Sequence, residues 1–269
     1  MESDKIYNMD GLESDKIYNM DGLESDKIYN IDCLEGMKQI PDGSIDAIIC
    51  DLPYGTTANA WDSVIPFDKL WEQYKRIAKP TAPIVLFGQT PFFAQVIMSN
   101  IRWFRHEWIW VKEKGLGFLN AQTSPLKAHE NIAVFCKDGE KYTYNPQKTK
   151  GEPYKHRIAR KSANHGLNSD KGYEVKYFDG DRFPLDVVFY EIVRHPEHPT
   201  QKPVDLLRYL IRTYSNEGDT ILDNCMGSGT TAVACIKEKR HFIGFELNKE
   251  YYDKACKRID AERRQLSLF

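Results

Sequence analysis

The sequence predicts an α/β protein with a mostly parallel sheet covered by helices on both faces. Short apolar runs of strand type alternate with longer amphipathic runs of helical type along most of the chain. Two of the apolar runs end in unusual turns, CDLPYGTT and LDNCMGSGTT. Strand–helix alternation is typical of parallel sheets, and 269 residues are enough for one large domain.

The first half contains four predicted strands and one predicted helix. IDAIIC and APIVLFG are short apolar runs that predict buried strands, and HEWIWVK and ENIAVFCK predict two more. FDKLWEQYKRIAK predicts an amphipathic helix, because Leu70, Tyr74 and Ile77 recur at helical spacing. We place this half at residues 24–137.

The alternation stops at residue 138 and resumes near residue 199. Residues 138–198 are rich in Lys, Asn, Gly, Tyr and Pro and show little periodicity, which predicts an insertion. In residues 199–269, KPVDLLRYLIRTYS, GSGTTAVACIKEK and NKEYYDKACKRIDAERRQ predict helices, and TILDNC and HFIGFEL predict strands.

The N-terminus carries an eleven-residue unit three times: ESDKIYNMDGL twice, then ESDKIYNIDCL. Three such short copies cannot stack into a core of their own. Only the third copy continues into the first predicted strand, so residues 1–23 are interpreted as a duplicated extension without a role in chemistry.

Composition excludes several classes of protein. The net charge is −2, 41% of residues are hydrophobic, and no window has the eighteen apolar residues of a membrane span. The N-terminus does not resemble a secretion signal, so we expect a cytoplasmic location. The six cysteines lack metal-binding spacing, which predicts free, mostly buried thiols and no metal site.

The turn LDNCMGSGTT predicts a ligand site at the end of its strand. Gly227 and Gly229 permit close backbone approach, and Glu246 ends the next strand, where a carboxylate suits ribose hydroxyls. The turn lacks the lysine of a phosphate loop, and Asp223 favours a neutral or cationic ligand such as a sulfonium. The alternative is a glycine turn that only tightens a strand–helix connection.

These motifs carry a resemblance to a known family. DLPYG resembles the DPPY catalytic motif, and LDNCMGSGTT the cofactor motif, of amino-methylating DNA methyltransferases; their order is similar to the β class. Further matches are NIDCLEGMKQIPDGSID, SPLKAHENIAVFCK and HPTQKPVDLL, so the resemblance covers about residues 24–260. It implies a Rossmann-like sheet that binds S-adenosylmethionine, with an inserted target-recognition region.

The resemblance also implies roles for individual residues. Asp32 would contact the adenine of the cofactor, and Glu246 its ribose. Asp32 as a helix cap and Lys202 as a solvated charge before a helix are the alternatives. The implied cofactor-binding residues are Asp32, Cys33, Asp51, Thr200, Gln201, Lys202, Asp223, Met226, Gly227, Ser228, Gly229, Thr230, Glu246 and Leu247.

The implied catalytic residues are Asp51, Leu52, Pro53 and Tyr54. The exocyclic amine of a base is a poor nucleophile, and the Asp51 carboxylate with the Leu52 carbonyl can accept its two N–H groups. Tyr54 offers a ring for a flipped-out base to stack on. Leu52 stands where the family usually has proline.

The insertion has the composition expected of a DNA-binding segment. Between Lys141 and Lys176 there are nine Lys or Arg and three Asp or Glu, a balance of +6. A solvated loop is the alternative. The predicted phosphate contacts are Lys148, Lys150, Lys155, Arg157, Arg160 and Lys161, and the predicted base readers are Asn164, His165 and Asn168.

The sequence favours methylation of adenine N6 in double-stranded DNA, because the catalytic motif begins with aspartate; the cytosine-N4 members of the family more often begin with serine. Cytosine N4, a protein amide, and a non-catalytic cofactor-sensing DNA-binding protein are the alternatives. A homodimer and a partner restriction endonuclease are possible associations.

Overall fold

The computed structural model describes residues 23–55, 62–137, 139, 141–159, 173–194, 196 and 200–266. The first two copies of the repeat therefore lie outside the described residues, except for Leu23 at the end of the second copy. The helices are α1 (Cys33–Lys38), α2 (Phe67–Ile77), α3 (Phe92–Ser99), α4 (Val204–Tyr214), α5 (Thr230–Lys237) and α6 (Lys249–Leu266). The strands are β1 (Lys27–Tyr29), β2 (Ala47–Cys50), β3 (Ile84–Gly88), β4 (Phe104–Leu116), β5 (Lys127–Phe135), β6 (Thr149–Lys150), β7 (Tyr154–Ala159), β8 (Tyr173–Phe178), β9 (Asp181–Arg182), β10 (Val187–Phe189), β11 (Thr220–Asp223) and β12 (His241–Phe245).

Eight strands form the central sheet, in the order β1-β12-β11-β2-β3-β5-β4-β10. All of them run in one direction except β5, which pairs antiparallel with β3 and with β4. The predicted mostly parallel sheet is confirmed.

The sheet is covered on both faces, as predicted. Alternate residues of one strand enter different cores: Ile48 of β2 packs with the layer of α1, α2 and α3, and Ile49 packs with the layer of α4, α5 and α6. Both side chains are fully buried. Strands buried on both faces read as continuous apolar runs, which is why IDAIIC shows no polar alternation.

The strand order of the sheet has a topological switch point between β2 and β11, which are themselves parallel. From β2 the chain crosses through α2 to β3 on one side, and from β11 it crosses through α5 to β12 on the other. The switch point leaves a crevice at the carboxyl ends of β2 and β11, which is the usual ligand position in open α/β sheets.

Several elements were not predicted. The short elements β1 and α1 and the helix α3 lie in stretches where we assigned no structure. Strand β10, inside the 138–198 stretch, pairs with β4 at the edge of the central sheet. The rest of that stretch contributes two small antiparallel pairs, β6 with β9 and β7 with β8. No helix in the described part of the chain has the length and apolar character needed to cross a membrane.

Candidate active site

A cleft of about 330 Å³ opens at the carboxyl ends of β2, β11 and β12. The two motif turns meet here, as the strand order requires. The residues that the sequence predicted for catalysis and cofactor binding lie around it, with the exception of Gly229. The lining of the cleft includes Asp32, Cys33, Asp51, Leu52, Pro53, Tyr54, Thr200, Gln201, Lys202, Asp223, Met226, Gly227, Ser228, Thr230, Glu246 and Leu247.

The glycine turn after β11 has the backbone conformation that its sequence predicts. Gly227 has φ +55° and Gly229 has φ +80°, both in the left-handed region. A Cβ on Gly229 would approach the Cβ of Ala255 in α6 to 3.1 Å. The glycines therefore allow the turn to close against α6 while its other side faces the cleft.

Glu246 contacts the glycine turn directly. Its Oε2 accepts a hydrogen bond of 2.8 Å from the Gly227 N–H, and its Oε1 accepts one of 2.7 Å from the Asn248 N–H. Burial raises the pKa of this carboxyl group, and the two backbone bonds oppose the rise. A carboxylate offers about four lone-pair positions, so Glu246 can shape the turn and still accept bonds from a ligand.

Arg258 of α6 is a site residue that sequence reasoning missed. Its guanidinium donates to the Ser228 carbonyl at 3.1 Å and to the Thr230 hydroxyl at 3.0 Å. It therefore holds the far side of the glycine turn. Its position in a helix 28 residues beyond the turn gave no local signal.

Asp223 is buried at the end of β11 and faces the cleft. Its Oδ2 accepts from the Thr231 hydroxyl at 2.6 Å and its Oδ1 from the Cys225 N–H at 3.0 Å. Burial raises its pKa to about 6, against these two hydrogen bonds. A cationic ligand beside this carboxylate would stabilise its ionised form.

Asp32 has the structural role that we considered as the alternative. It is the N-cap of α1, and its Oδ1 accepts from the N–H groups of Leu34 at 2.9 Å and Glu35 at 3.2 Å. It also lines the cleft, so capping does not exclude contact with a ligand. Nearby, the Asn30 amide donates to the carbonyls of Glu246 and Leu247, which fixes the end of β12.

The Asp51 carboxylate, directly after β2, has a different donor on each oxygen. Oδ1 accepts from the Tyr54 hydroxyl at 2.7 Å, and Oδ2 lies 2.5 Å from the Lys202 ammonium. Burial raises the pKa of Asp51, and Lys202 opposes the rise. The Lys202 side chain is only 8% exposed, so the interpretation of Lys202 as a solvated charge is wrong.

The remaining residues of the catalytic turn are held from several sides. The Tyr54 ring stacks on Phe92 of α3 with centroids 4.9 Å apart. Leu52 is buried in the core of the α1–α3 layer, which explains how an apolar side chain is accommodated where the family has proline. Gly55 adopts φ +67°, and its N–H donates to Asp62 at 2.9 Å.

Two charged residues behind Asp51 were also missed. Glu130 of β5 lies 3.3 Å from Lys202, and Lys112 of β4 lies 2.5 Å from Glu130. Both side chains are less than 10% exposed. The available signal was a charged residue directly beside an apolar run, WIWV before Lys112 and IAVF soon after Glu130, since charged groups are seldom buried unless they are paired.

Some of the predicted DNA-binding residues lie in the small antiparallel pairs. Lys150 of β6 lies 2.5 Å from Asp181 and 3.5 Å from Asp179, and Lys148 lies 3.8 Å from Asp181. Arg157 is exposed on β7.

Asp179 and Asp181 lie just beyond residues 141–176, the range over which charge was counted. The balance of +6 therefore overstates the positive charge that has no acidic partner. Lys155 lies over the Tyr177 ring at 5.0 Å. The remaining predicted contacts, Arg160, Lys161, Asn164, His165 and Asn168, lie outside the described residues.

All six cysteines are free, as predicted. Cys33, Cys50, Cys136 and Cys235 are buried, and Cys225 and Cys256 are partly buried.

Comparisons with known proteins identify the family. The family model for N6/N4 methyltransferases, described as DNA methylase, matches residues 45–257. The type II methyltransferase M.HpaI of Haemophilus parainfluenzae is 30% identical over 242 residues, covering 84% of this chain and 71% of the relative. The DNA adenine methyltransferase YhdJ of Escherichia coli (strain K12) is 28% identical over 238 residues, covering 83% and 79%.

Solved structures show the same fold. The M1.HpyAVI–SAM complex matches with a TM-score of 0.59 at 24% identity, covering 86% of this chain and 98% of that one. The cytosine-N4-specific PvuII DNA methyltransferase matches with a TM-score of 0.63 at 15% identity, covering 91% and 93%. The Rossmann-like methyltransferase fold implied by the motifs is therefore confirmed. Since the family model spans most of the chain and includes both motif turns, this protein belongs to the N6/N4 DNA methylase family.

Proposed function

We propose that the protein transfers a methyl group from S-adenosylmethionine to the N6 amine of an adenine flipped out of double-stranded DNA. The observation that carries the proposal is the Asp51 carboxylate, which faces the same cleft as the glycine turn, Asp223 and Glu246. An amine acceptor and a nucleoside-binding turn thus lie side by side on neighbouring strands.

The residues of the cleft fit S-adenosylmethionine. Glu246 at the end of β12 suits the ribose hydroxyls, and Asp32 suits the adenine amine. Asp223 provides a buried negative charge for the cationic methionine end, and Thr200, Gln201 and Lys202 also line the cleft. When bound, this group supplies an electrophilic methyl on a sulfonium.

The chain's own residues prepare the amine. Asp51 accepts one N–H of the exocyclic amine and the Leu52 carbonyl accepts the other, which draws electron density toward nitrogen and directs its lone pair to the methyl group. Tyr54 orients Asp51 through its hydroxyl. The released proton leaves through the carboxylate or directly to water.

Adenine is favoured over cytosine by the aspartate that begins the motif, and the adenine methyltransferase YhdJ is among the relatives. Cytosine N4 is the second candidate, because the cytosine-N4-specific PvuII enzyme has the same fold. Both amines present two N–H groups, so the same acceptors serve either base.

Mass spectrometry of nucleosides tests the proposal. Duplex DNA incubated with the protein and S-adenosylmethionine should acquire N6-methyladenine, and omission of the cofactor is the control. The appearance of N4-methylcytosine instead would select the second candidate. DNA that is bound in a cofactor-dependent manner but never methylated would identify a non-catalytic, cofactor-sensing protein.

A further inference from the structure

Four charged residues, of which three are buried and Asp51 is partly buried, form a chain that leads away from the cleft. In order they are Asp51, Lys202, Glu130 and Lys112, which we call the charge chain. Their side chains are 22%, 8%, 9% and 4% exposed, and the signs alternate so that the chain is neutral as a whole. Buried charges are costly unless they are paired, and two carboxylates with two ammonium groups satisfy that condition.

Lys202 is shared between two carboxylates. Its ammonium lies 2.5 Å from Asp51 Oδ2 and 3.3 Å from Glu130 Oε2. The longer contact is an ion pair without hydrogen-bond geometry, and among the described residues Glu130 Oε2 has no hydrogen-bond donor. Glu130 thus retains an acceptor position that Lys202 can occupy if it moves away from Asp51.

Lys112 determines how strongly Glu130 can attract Lys202. Its ammonium lies 2.5 Å from Glu130 Oε1 and 4.9 Å from the centre of the Trp110 ring. Gln89 also reaches Glu130 Oε1, at 3.4 Å. With Oε1 engaged in this way, the negative charge available to Lys202 at Oε2 is reduced.

We propose that Glu130 and Lys112 are positioning residues for methyl transfer, which act by setting how tightly Lys202 holds the Asp51 carboxylate and therefore how strongly that carboxylate accepts the target amine. The catalytic part of this inference rests on the proposed function. The charge linkage itself is a property of the free protein.

The sign of each effect follows from the charges that face Asp51. The groups that face Asp51 are Lys202 from the loop before α4, Glu130 from β5, Asp223 from β11 and Tyr54 from the turn after β2. Lys112 of β4 acts on Asp51 through Glu130. Burial raises the pKa of Asp51, Lys202 lowers it and Glu130 raises it. Removing Glu130 should therefore lower the pKa of Asp51, and removing Lys112 should raise it.

Two nearly isosteric variants test the linkage without DNA or cofactor. Carbon-13 NMR of carboxyl-labelled aspartate, with Asp51 assigned by its absence in Asp51→Asn, reports its titration. We expect the pKa of Asp51 to move down by about one pH unit in Glu130→Gln and up by a similar amount in Lys112→Met. Glu107→Gln, on β4 outside the charge chain, is the matched control and should leave it unchanged.

The methylation rate provides the second measurement. In Glu130→Gln, Asp51 is the one carboxylate left beside Lys202 among the described residues, so kcat at pH 8 should fall about tenfold while KM for DNA changes little. The acidic limb of its pH profile should move to lower pH. In Lys112→Met the limb should move to higher pH, and kcat at pH 8 should change in the direction opposite to that in Glu130→Gln.

The NMR titrations and the methylation rates together distinguish the charge linkage from the proposed function. Shifts in opposite directions for the two variants support the linkage, whereas a purely structural role predicts lowered melting temperatures and no opposed shifts. An Asp51 titration that is unchanged in both folded variants overturns the inference. If the titrations shift as expected but the wild-type protein never methylates DNA, the linkage stands and the proposed function fails.

Discussion

Asp51 has two tasks that compete for the same oxygens. In the proposed reaction it must remain ionised in a partly buried position, for which it needs Lys202, and it must accept a hydrogen bond from the target amine, for which it needs a free lone pair. A carboxylate has about four lone-pair positions, and Tyr54 and Lys202 occupy one on each oxygen. One position per oxygen is left for a substrate.

Replacement of Asp51 should separate chemistry from binding. We expect Asp51→Asn to lower turnover at least about 100-fold, because the amide cannot supply the negative acceptor. Tyr54→Phe keeps the ring and removes one hydrogen bond, so its loss should be about fivefold. Cofactor affinity, measured by calorimetry, should change little in either. Normal methylation by Asp51→Asn would contradict the assignment.

Asp223 should make cofactor affinity depend on pH. Its pKa is about 6, and a cationic cofactor binds best when the carboxylate is ionised. We expect binding to be about tenfold weaker at pH 5 than at pH 7, since most of the carboxyl is then protonated. Calorimetry across this range measures it, and Asp223→Asn should give a flatter profile.

Ionisation of Asp223 also lowers the stability of the folded protein without cofactor. The pKa of Asp223 is higher in the folded protein than its ordinary value of 3.8, so its contribution to stability is lost as pH rises from about 4 to about 6. At about 1.4 kcal/mol per pH unit, ionisation costs the folded protein on the order of 3 kcal/mol. Without cofactor, Asp223→Asn should therefore raise the melting temperature at pH 8 more than at pH 5.

The residues of the two motifs could be predicted from the sequence because each follows a recognisable strand. Arg258, Asn30, Glu130 and Lys112 could not be assigned to the cleft. Each acts on the residues that line the cleft through tertiary packing, and none belongs to a local pattern. The charge of Lys112 and Glu130 beside the apolar runs of β4 and β5 was a usable signal, but it does not identify the partner.

At the scale of elements, α6 supports the glycine turn, the proposed cofactor site, through Arg258. Arg258→Met removes the bonds to Ser228 and Thr230. We expect cofactor affinity to fall about tenfold, the effect of losing roughly 1.4 kcal/mol of charged hydrogen bonding. Lys257→Met, at the exposed neighbouring position of the same helix, should bind the cofactor normally. Equal effects of both variants would indicate general loosening of α6.

The small antiparallel pairs should contribute unequally to DNA binding. Lys150 is already neutralised by Asp179 and Asp181, whereas Arg157 is exposed on β7. If this surface contacts phosphates, Arg157→Gln should lower the salt slope of log K by about one unit, and Lys150→Gln by less. Titration against cognate and scrambled duplexes at several salt concentrations distinguishes the two. An equal reduction would show that Lys150 leaves its aspartates on binding.

Elements longer than about ten residues or buried on both sides of the sheet were predictable, because their periodicity or apolar character is local. β1 and α1 are three and six residues long, too short for a periodic signal. The reversed direction of β5 was not predictable either, since strand direction depends on the path of the connection and not on the strand's own residues.

For the whole molecule, the third repeat copy is part of the fold. It supplies β1, which pairs with β12, and Asn30, which holds the end of that strand. Deletion of residues 2–22 should therefore leave methylation and the melting temperature unchanged. Deletion of residues 2–30 should remove cofactor binding and lower the melting temperature. Loss of activity in the shorter deletion would assign a role to the first two copies.

The charge chain joins β2, β4, β5 and the loop before α4, so it also restricts how the protein can evolve. Loss of one member leaves the chain with a net charge and at least one other member with one partner fewer, which lowers the stability of the folded protein. An exchange of Lys112 and Glu130, or replacement of that pair by two apolar residues, keeps the chain neutral and leaves Asp51 in place. Among descendants of a common ancestor, these positions should therefore change in pairs or remain as they are.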